Sequence, residues 1–482
     1  MRRTALALAL AAWPLTLAAE DTAPMSKAPS GAEVMSRIDA RYDEIAGVAR
    51  QIWEWAEVGY QEERSSQLLQ DRLEAEGFSV ERGVAGIPTA FVASWGEGEP
   101  VIAVLAEFDA LPGINQDALP ERAPIDGKAA GHACGHNLFG AGSLGAAIAI
   151  KNWLEETVMP GTIRLYGTPA EEGGSGKVYM VRERLFKDVD FALHWHGDDE
   201  NTAEAQTSLA NRSAKFRFHG VSAHAAGAPE RGRSALDGVE AFNLMVNLMR
   251  EHVDQDARIH YVITKGGNAP NVVPDFAEVF YYVRHPTADG VEDIWKRLED
   301  AARGAALGTG TKADWEIIHG NNPLLINETL AKMMDEKLRE VGGLQYTKEE
   351  EKFAKKLYAS FDRPDHALGS ESEIQPYDKS LGYGSTDVGD VSYAVPTVGL
   401  RTATWVPGTA AHSWQAAAAS GMSIGFKGAE VAAKALTLAA IELYTNPELR
   451  EAARKEFDET RGKDYKYTSL LGDRKPPLDY RE

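Results

Sequence analysis

The chain has 482 residues, enough for two or three domains at roughly 150 residues each. Hydrophobic residues make up 44% and charged residues 26%, a globular composition that excludes collagen, coiled coil and wholesale disorder. Because 51 basic residues face 72 acidic ones, the net charge is −21, and a phosphate backbone would be repelled. We therefore expect no nucleic-acid partner.

The first nineteen residues have the pattern of an export signal. Arg2 and Arg3 precede an apolar run at 4–17, and the small residues Ala18 and Ala19 precede a polar run. The apolar run is too short to span a bilayer comfortably, which favours a cleaved signal over an uncleaved anchor. We expect a periplasmic or secreted protein with no membrane contact after the signal is removed.

Strands and helices alternate in the next part of the chain. Apolar side chains recur at helical spacing over 36–80, and an alanine-rich helix is predicted over 138–154. Strands are predicted at 91–95, 101–105, 162–166 and 191–196. This alternation predicts an α/β, three-layer domain with a mixed sheet, formed by residues 20–203 and 321–482, with its function at the carboxyl ends of the strands.

Residues 204–320 follow a different pattern, typical of an inserted α+β domain. The predicted elements are strands at 211–219, 258–264 and 278–284 and helices at 235–252 and 290–305. Two helices over a small sheet leave a strand edge exposed, which a partner subunit could cover. We therefore expect a homodimer.

The α/β pattern returns after residue 321. The predicted elements there are helices at 328–341, 349–358 and 422–446 and an apolar strand at 397–401. Pro447 follows the last of these helices, and the charged tail beyond it is expected to lie on the surface.

The segment at 131–137 places the only cysteine of the chain beside histidines. Cys134 and His136 flank one glycine, so a tight turn could direct sulfur and imidazole toward one point, and both suit zinc and related divalent metals. A buried cysteine beside a helix start explains this pair equally well. The following 140–145 matches G-x-G-x-x-G, but no β-branched strand precedes it, so a dinucleotide site is not expected.

Further metal and acid–base candidates follow other predicted strands. Glu171 and Glu172 come after a strand, where one carboxylate can bind a metal while the other acts as a general base; a solvated acidic turn is the alternative. His194 and His196 lie on the same side of a strand, and either could be a ligand. His412 lies in a glycine- and alanine-rich loop. Together these positions favour a metal site.

Seven sequence motifs occur in order along the chain. They are A-E-F-D-A-L-P at 106–112, G-H-A-C-G-H-N at 131–137, P-A-E-E-G-G at 169–174, S-A-H-A-A at 222–226, N-V-V-P at 271–274, S-T-D-V-G-D-V at 385–391 and A-H-S at 411–413. In this order they resemble the exopeptidase family that contains carboxypeptidase G, aminoacylases and auxin-conjugate amidohydrolases. The resemblance covers residues 38–444. Asn137 stands where many of these amidohydrolases have Asp, so no Asp-dependent role is carried over to it.

The resemblance implies two divalent metal ions, zinc or manganese, in each subunit. The implied ligands are Cys134, His136, Glu172, His196 and His412. The spacing in the family favours His196 over His194, because His196 follows Asp190 by six residues. A thiolate held by metal would explain the lone cysteine of an exported chain.

The resemblance also implies roles for five other side chains. Glu171 would be the general base and acid, and Asp109 would orient a metal ligand. The insert matches a dimerisation or lid domain, on which His224 would stabilise the oxyanion, across a dimer in the family's arrangement. Asn271 and Arg284 would hold the substrate carboxylate. Taken alone, His224 is typical of a surface histidine and Arg284 of a paired strand arginine.

The implied function is that of an exported, metal-dependent amidohydrolase. Its substrates would be N-acyl or N-aroyl amino acids such as p-aminobenzoyl-glutamate, cleaved by an activated water. A dipeptidase or carboxypeptidase of the same family is the alternative. From another class, an exported solute-binding protein would suit two α/β lobes, but it gives no reason for Glu171, Glu172, Cys134 and the separated histidines.

Overall fold

The structure is a computed structural model that describes residues 28–481. The predicted export signal at 1–19 therefore lies outside the described residues. Within 28–481, no helix is long and apolar enough to cross a membrane.

The strands of the described residues form a seven-stranded sheet, a four-stranded sheet and a two-stranded ribbon. In chain order they are β1 (Ser79–Arg82), β2 (Phe91–Glu97), β3 (Val101–Ala106), β4 (Leu111–Pro112), β5 (Ala130–Gly131), β6 (Gly161–Gly167), β7 (Phe191–Asp198), β8 (Thr202–Glu204), β9 (Ala210–His219), β10 (Arg258–Lys265), β11 (Phe276–His285), β12 (Lys312–Asn321) and β13 (Thr397–Ala403).

The helices of the described residues lie mainly around the larger sheet. In chain order they are α1 (Gly31–Asp39), α2 (Tyr42–Trp55), α3 (Glu63–Ala75), α4 (His136–Thr157), α5 (Glu171–Gly174), α6 (Gly176–Arg182), α7 (Ala235–Met249), α8 (Ala288–Thr309), α9 (Glu328–Val341), α10 (Lys348–Tyr358), α11 (Val388–Ala394), α12 (Trp414–Ser420), α13 (Ser423–Thr445) and α14 (Pro447–Arg461). The region predicted as helical over 36–80 is thus three helices followed by β1.

The larger sheet is mixed and has the strand order β1–β2–β6–β3–β7–β13–β8. Its inner strands β6, β3, β7 and β13 run parallel, while β1, β2 and β8 pair antiparallel at the two edges. All six residues of β3 are buried, as expected for a strand covered on both faces. Because the inner strands are parallel, their carboxyl ends meet at one edge of the sheet.

The glycines at 140–145 bring α4 close to its neighbours. A side chain at Gly142 would come within 2.8 Å of the Trp195 ring and 2.9 Å of the Ala429 carbonyl on α13, and one at Gly145 within 2.7 Å of Ile45 on α2. These glycines therefore allow α4 to pack closely against its neighbours.

The smaller sheet belongs to the inserted α+β part of the chain. Its order is β10–β11–β9–β12, all antiparallel, and α7 and α8 pack on it around an aromatic core that includes Phe216 and Trp295. Strand β12 is not predicted from the sequence, because five of its ten residues are half-buried and no alternation of burial runs through the whole strand. The predicted α/β fold with a mixed sheet and an inserted α+β domain is confirmed.

Most residues after Pro447 are exposed or half-buried, in agreement with the predicted surface position of the tail, but the tail also packs on the molecule. Pro447 begins α14, and Leu470 and Leu471 beyond it are buried, with Leu470 packed on the backbone at Gly320 of β12. The charged composition of the tail indicates the surface, but its few apolar residues fix its path across the molecule.

Candidate metal centre

Polar side chains converge where the inner strands of the larger sheet end. Glu107 and Asp109 follow β3, Glu171 follows β6, His196 lies near the end of β7, and α4 begins at His136. The cluster therefore occupies the carboxyl edge that the parallel strands share, where α/β sheets bind their ligands.

Three sets of side chains each place their ligand atoms within 4.8 Å of one another. The sets are Cys134, His136 and His196; Cys134, Glu172 and His412; and Glu107, His136 and Glu171. Shared members make the three sets one continuous cluster. Cys134 Sγ lies 3.3 Å from His196 Nε2, and His412 Nε2 lies 3.3 Å from Glu172 Oε1.

The Asp109 carboxylate holds two members of this cluster in place. Its Oδ1 lies 2.8 Å from His136 Nδ1, and its Oδ2 accepts a hydrogen bond from the backbone N–H of Glu172 at 2.9 Å. This arrangement directs His136 Nε2 toward the centre, 3.0 Å from Glu107 Oε2, with no hydrogen-bond partner at either atom. A carboxylate behind a histidine in this way orients the ring as a metal ligand.

The two histidines of β7 have different surroundings. His196 Nδ1 contacts the carbonyl of Gly197 at 2.7 Å, which leaves Nε2 facing Cys134. His194 Nε2 instead lies 3.1 Å from a carboxylate oxygen of Glu204 on β8. The structure thus brings His196, and not His194, into the cluster.

A strained turn presents the two adjacent glutamates. Ala170 and Ser175 have φ angles of 58° and 61°, in the left-handed region that non-glycine residues seldom adopt. A side chain at Gly176 would lie 2.0 Å from the Pro169 carbonyl, so only glycine fits where the turn enters α6. The turn changes the direction of the chain after β6. It thereby places Glu171 and Glu172 at the cluster.

Burial and mutual repulsion shift the acid–base behaviour of the cluster. Burial raises the pKa of Glu171 well above its usual value, and the carboxylates of Glu107 and Glu172 raise it further. Burial also raises the pKa of the Cys134 thiol. The pKa of His196 is lowered to about 3 by burial and by a neighbouring imidazole, which keeps the ring in the neutral form that binds metals.

A fully buried lysine, Lys177, holds a carboxylate of the cluster in place. Lys177 Nζ lies 2.6 Å from Glu107 Oε1 and 2.7 Å from Asp387 Oδ1. Burial lowers the pKa of Lys177, but the Asp387 and Glu107 carboxylates outweigh burial and raise that pKa above its usual value. The charged ammonium therefore fixes Glu107 beside the imidazole of His136.

The insert forms one wall of a cleft of about 400 Å³ beside the cluster. Its lining residues there are Asn211, Tyr282, Arg284 and His319. The predicted substrate-binding Arg284 is not a paired strand arginine, because its side chain donates to Ser385 Oγ at 3.4 Å and its Nε is buried without a partner. Burial lowers the pKa of Arg284 and lowers the pKa of His319 to about 4.

His224 and Asn271 lie together, away from the cleft of their own subunit. Both are exposed, and the N–H of Ala225 donates to the Asn271 carbonyl at 3.0 Å. Strand β9 starts beside the cleft with Asn211, whereas His224 follows its other end. At roughly 3.3 Å per residue, the strand carries the chain about 26 Å away. The structure does not bring His224 or Asn271 to this cleft.

Sequence reasoning misses several side chains at the site besides Asn211 and Tyr282 of the cleft wall. The others include Glu107, noted only as part of a motif, and Lys177, His319 and Arg481. A lysine inside the apolar segment at 176–181 is a signal for Lys177, because a buried lysine requires anionic partners. The sequence contains no signal for His319 or Arg481, since each reaches the site through contacts distant in sequence.

The donor set fits divalent transition metals. One thiol, several imidazole nitrogens and carboxylate oxygens converge, which is the mixture that zinc and similar ions bind. His136 Nε2, Glu107 Oε2 and Glu172 Oε1 are buried and without hydrogen-bond partners. Buried polar atoms are costly unless paired, and a cation would satisfy them.

Comparison with known proteins identifies the family. The sequence pattern of Peptidase family M20/M25/M40 matches residues 103–359, more than half of the chain. The B subunit of p-aminobenzoyl-glutamate hydrolase from Escherichia coli (strain K12) is 39% identical over 450 residues, covering 88% of this chain and 93% of that protein. The chain belongs to peptidase family M20/M25/M40. It is a metal-dependent hydrolase of amide bonds, so the alternative of a solute-binding protein is wrong.

Another relative and two solved structures are also similar to this family member. The Xaa-Arg dipeptidase of Mus musculus is 31% identical over 436 residues, covering 87% of this chain and 90% of its own. A dinuclear metal-binding M20 peptidase of Bacillus subtilis has the same fold, with a TM-score of 0.57 and 18% identity over 84% of this chain and 99% of its own. An aminobenzoyl-glutamate utilization protein of Klebsiella pneumoniae matches with a TM-score of 0.58 and 18% identity over 83% and 98%.

Proposed function

We propose that this protein hydrolyses the amide bond of N-acyl or N-aroyl amino acids of the p-aminobenzoyl-glutamate type. The observation that carries the proposal is that one cleft contains the donor cluster, the half-buried Glu171 and the guanidinium of Arg284, which has no acidic partner. The proposed ligands of two zinc or manganese ions are Cys134, His136, Glu172, His196 and His412.

Glu171 is the proposed acid–base group of the reaction. When bound, two divalent cations supply Lewis acidity toward water and the scissile carbonyl. Glu171 accepts a proton from the attacking water and returns it to the leaving nitrogen, a role that suits a carboxylate whose oxygen lies beside the donor atoms of Glu107 and His136. Asp109 keeps His136 and the Glu172 backbone in place, as its two hydrogen bonds indicate.

Arg284 is the proposed binding group for the substrate carboxylate. It lines the cleft without an acidic partner, and a guanidinium binds a carboxylate through two parallel hydrogen bonds. The similarity to Xaa-Arg dipeptidases keeps a dipeptidase as the second candidate. Both reactions require a free carboxylate beside the cleaved amide.

We also propose a dimer formed through the insert. Strand β10 is an edge strand with exposed Tyr261, Val262 and Ile263, and α7 beside it exposes Leu244 and Leu248. Such an apolar surface next to an open strand edge is typical of an interface. Two different subunits of the Escherichia coli p-aminobenzoyl-glutamate hydrolase are relatives, at 39% and 27% identity, so a second kind of chain is the alternative to a second copy.

Export stays a prediction that rests on residues 1–19 alone. In a periplasmic or secreted location, the enzyme would act on substrates that are present outside the cytoplasm.

Glu171→Gln tests the proposed reaction. The metal-depleted protein is reloaded with zinc or manganese and assayed against N-acyl amino acids, p-aminobenzoyl-glutamate and dipeptides. We expect the variant to keep less than about a tenth of the wild-type kcat, since loss of an acid–base group costs roughly 10²–10⁴-fold. Its metal content, measured by elemental analysis, should stay near two ions per subunit. A variant with more than that tenth of kcat would contradict the role of Glu171.

A further inference from the structure

The C-terminal tail runs from the insert to the metal centre. Arg474 donates to the Ile318 carbonyl of β12 at 2.7 Å and to Glu316 at 3.0 Å. On the side of the larger sheet, Arg182 of α6 donates to the Arg474 carbonyl at 2.6 Å, and Tyr179 donates to the Lys475 carbonyl at 3.2 Å. The tail is therefore held on both of the parts that form the cleft.

The last described residues of the tail contact the turn that carries the two glutamates. The Tyr480 ring packs edge-on against Tyr60 at 5.5 Å, and its hydroxyl donates to the Glu172 carbonyl at 3.1 Å. Arg481 Nη2 donates to the same carbonyl, and its guanidinium stacks 4.7 Å from the Tyr480 ring. These contacts hold the Arg481 side chain in one position at the wall of the cleft.

Two guanidinium groups of the cleft have no acidic partner. Among residues 28–481, no carboxylate oxygen lies within 4.0 Å of a nitrogen of Arg284 or Arg481. In both side chains Nε is buried and makes no hydrogen bond. Elsewhere in the chain the half-buried Arg401 is paired with two carboxylates. An unpaired guanidinium in a cleft is a binding site for an anion.

We propose that Arg481 is a specificity-determining residue, and that the cleft takes amides of dicarboxylic amino acids. Arg284, on the insert, binds one carboxylate of the substrate, and Arg481, on the tail, binds the other. This inference rests on the proposed amidohydrolase function and names its substrate class. It also disfavours a substrate with a basic side chain, because such a side chain would meet two guanidinium groups.

A matched pair of substrates tests the role of Arg481. N-acyl-glutamate and N-acyl-glutamine have the same shape and differ in one negative charge. We expect the wild-type enzyme to prefer the glutamate substrate by about 10–100-fold in kcat/KM, the usual size of one charge-assisted hydrogen bond. Arg481→Gln should raise KM for N-acyl-glutamate by that factor with little change in kcat, and should lower kcat/KM for N-acyl-glutamine by a much smaller factor.

Two further variants separate charge from tail structure. Lys475→Gln removes an exposed positive charge from the same tail and should leave the preference unchanged. Arg481→Lys should restore part of the preference, because it restores the charge without the planar geometry. An equal loss on both substrates in Arg481→Gln, or an unchanged preference, would overturn the inference.

Equilibrium binding makes the test independent of turnover. Should the wild-type enzyme hydrolyse no acyl-amino acid, the proposed function fails, and the metal-loaded protein is then titrated with glutarate and with butyrate by calorimetry. Tighter binding of glutarate that weakens about tenfold in Arg481→Gln would support the dicarboxylate site. Equal affinities of glutarate for the wild type and the variant would refute it.

Discussion

His136 shows how single side chains determine the chemistry of this centre. Asp109 fixes one ring nitrogen, and the other faces Glu107, whose second oxygen is held by Lys177. Burial alone lowers the pKa of His136, but the neighbouring Cys134 and the carboxylates of Glu107 and Asp109 reverse this effect and raise it. The ring is thus surrounded by negative charge, which a cation bound at the centre would balance.

Alanine substitutions at the two histidines of β7 separate a metal ligand from a supporting residue. His196→Ala should lose bound metal and lower activity by more than the roughly 10–100-fold that follows loss of an outer partner. His194→Ala should keep most of its metal, since His194 faces Glu204, which retains its hydrogen bond from Arg401 at 3.0 Å. The metal content of each variant, measured by elemental analysis, and its kcat show which of the two histidines is the ligand. The reverse ranking would move the ligand two residues along the strand.

Strand β6, the turn that carries Glu171 and Glu172, and helix α6 follow one another in the chain. Together they provide the proposed acid–base group and the lysine that supports the centre. The turn exposes Glu171 to the cleft. Lys177, the second residue of α6, is buried between two carboxylates. A buried ion pair of this kind costs desolvation free energy, and its partners become uncompensated charges when one is removed. The structural support of the centre therefore depends on Lys177.

Lys177→Met should lower the free energy of unfolding by about 3–5 kcal/mol, because Glu107 and Asp387 would stay buried without a cation. Urea unfolding followed by tryptophan fluorescence measures this, with EDTA present so that metal binding does not contribute. Lys355→Met is the matched control: Lys355 forms an exposed pair with Glu351 within α10, and such pairs contribute less than about 1 kcal/mol. A similar small loss in both variants would contradict the support role of Lys177.

The elements that the sequence predicts well are those with strong local patterns. Strands β2, β3, β6, β7 and β13 are apolar runs, and the proposed ligands lie in short motifs next to their ends. Strand β12 and the path of the tail are missed because they depend on distant partners. Arg481 contacts a residue 309 positions earlier in the chain, and no local pattern encodes such a contact.

At the scale of the whole molecule, the two ends of the smaller sheet carry different groups of candidate site residues. One end lines the cleft of its own subunit through Asn211, Arg284 and His319. The other end carries His224 and Asn271, about 26 Å along β9. If the predicted role of His224 holds, the site that it serves is the cleft of a partner subunit, and the exposed apolar residues of β10 and α7 supply the surface for that contact.

His224→Ala should lower kcat by about 10²–10³-fold, the usual effect of losing one oxyanion donor. Metal content and the unfolding transition should not change, because His224 is exposed and its ring accepts hydrogen bonds from the N–H groups of Ala226 and Gly227 in its own loop. Wild-type activity in this variant would end the proposed role, and the histidine would then be an ordinary surface residue.

Mixing two inactive variants decides whether His224 acts across a dimer. In a mixed dimer, the His224→Ala protomer keeps its own Glu171 and receives His224 from the Glu171→Gln protomer, so one of the two sites is complete. With free exchange of protomers at equal amounts, half of the dimers are mixed, and activity should return to roughly a quarter of the wild-type value. Native mass spectrometry of a mass-labelled protomer verifies exchange, and it also distinguishes a second copy from a different chain. If exchange is complete and activity does not return, His224 acts within its own protomer, and the insert must then rotate far enough to carry it to the cleft.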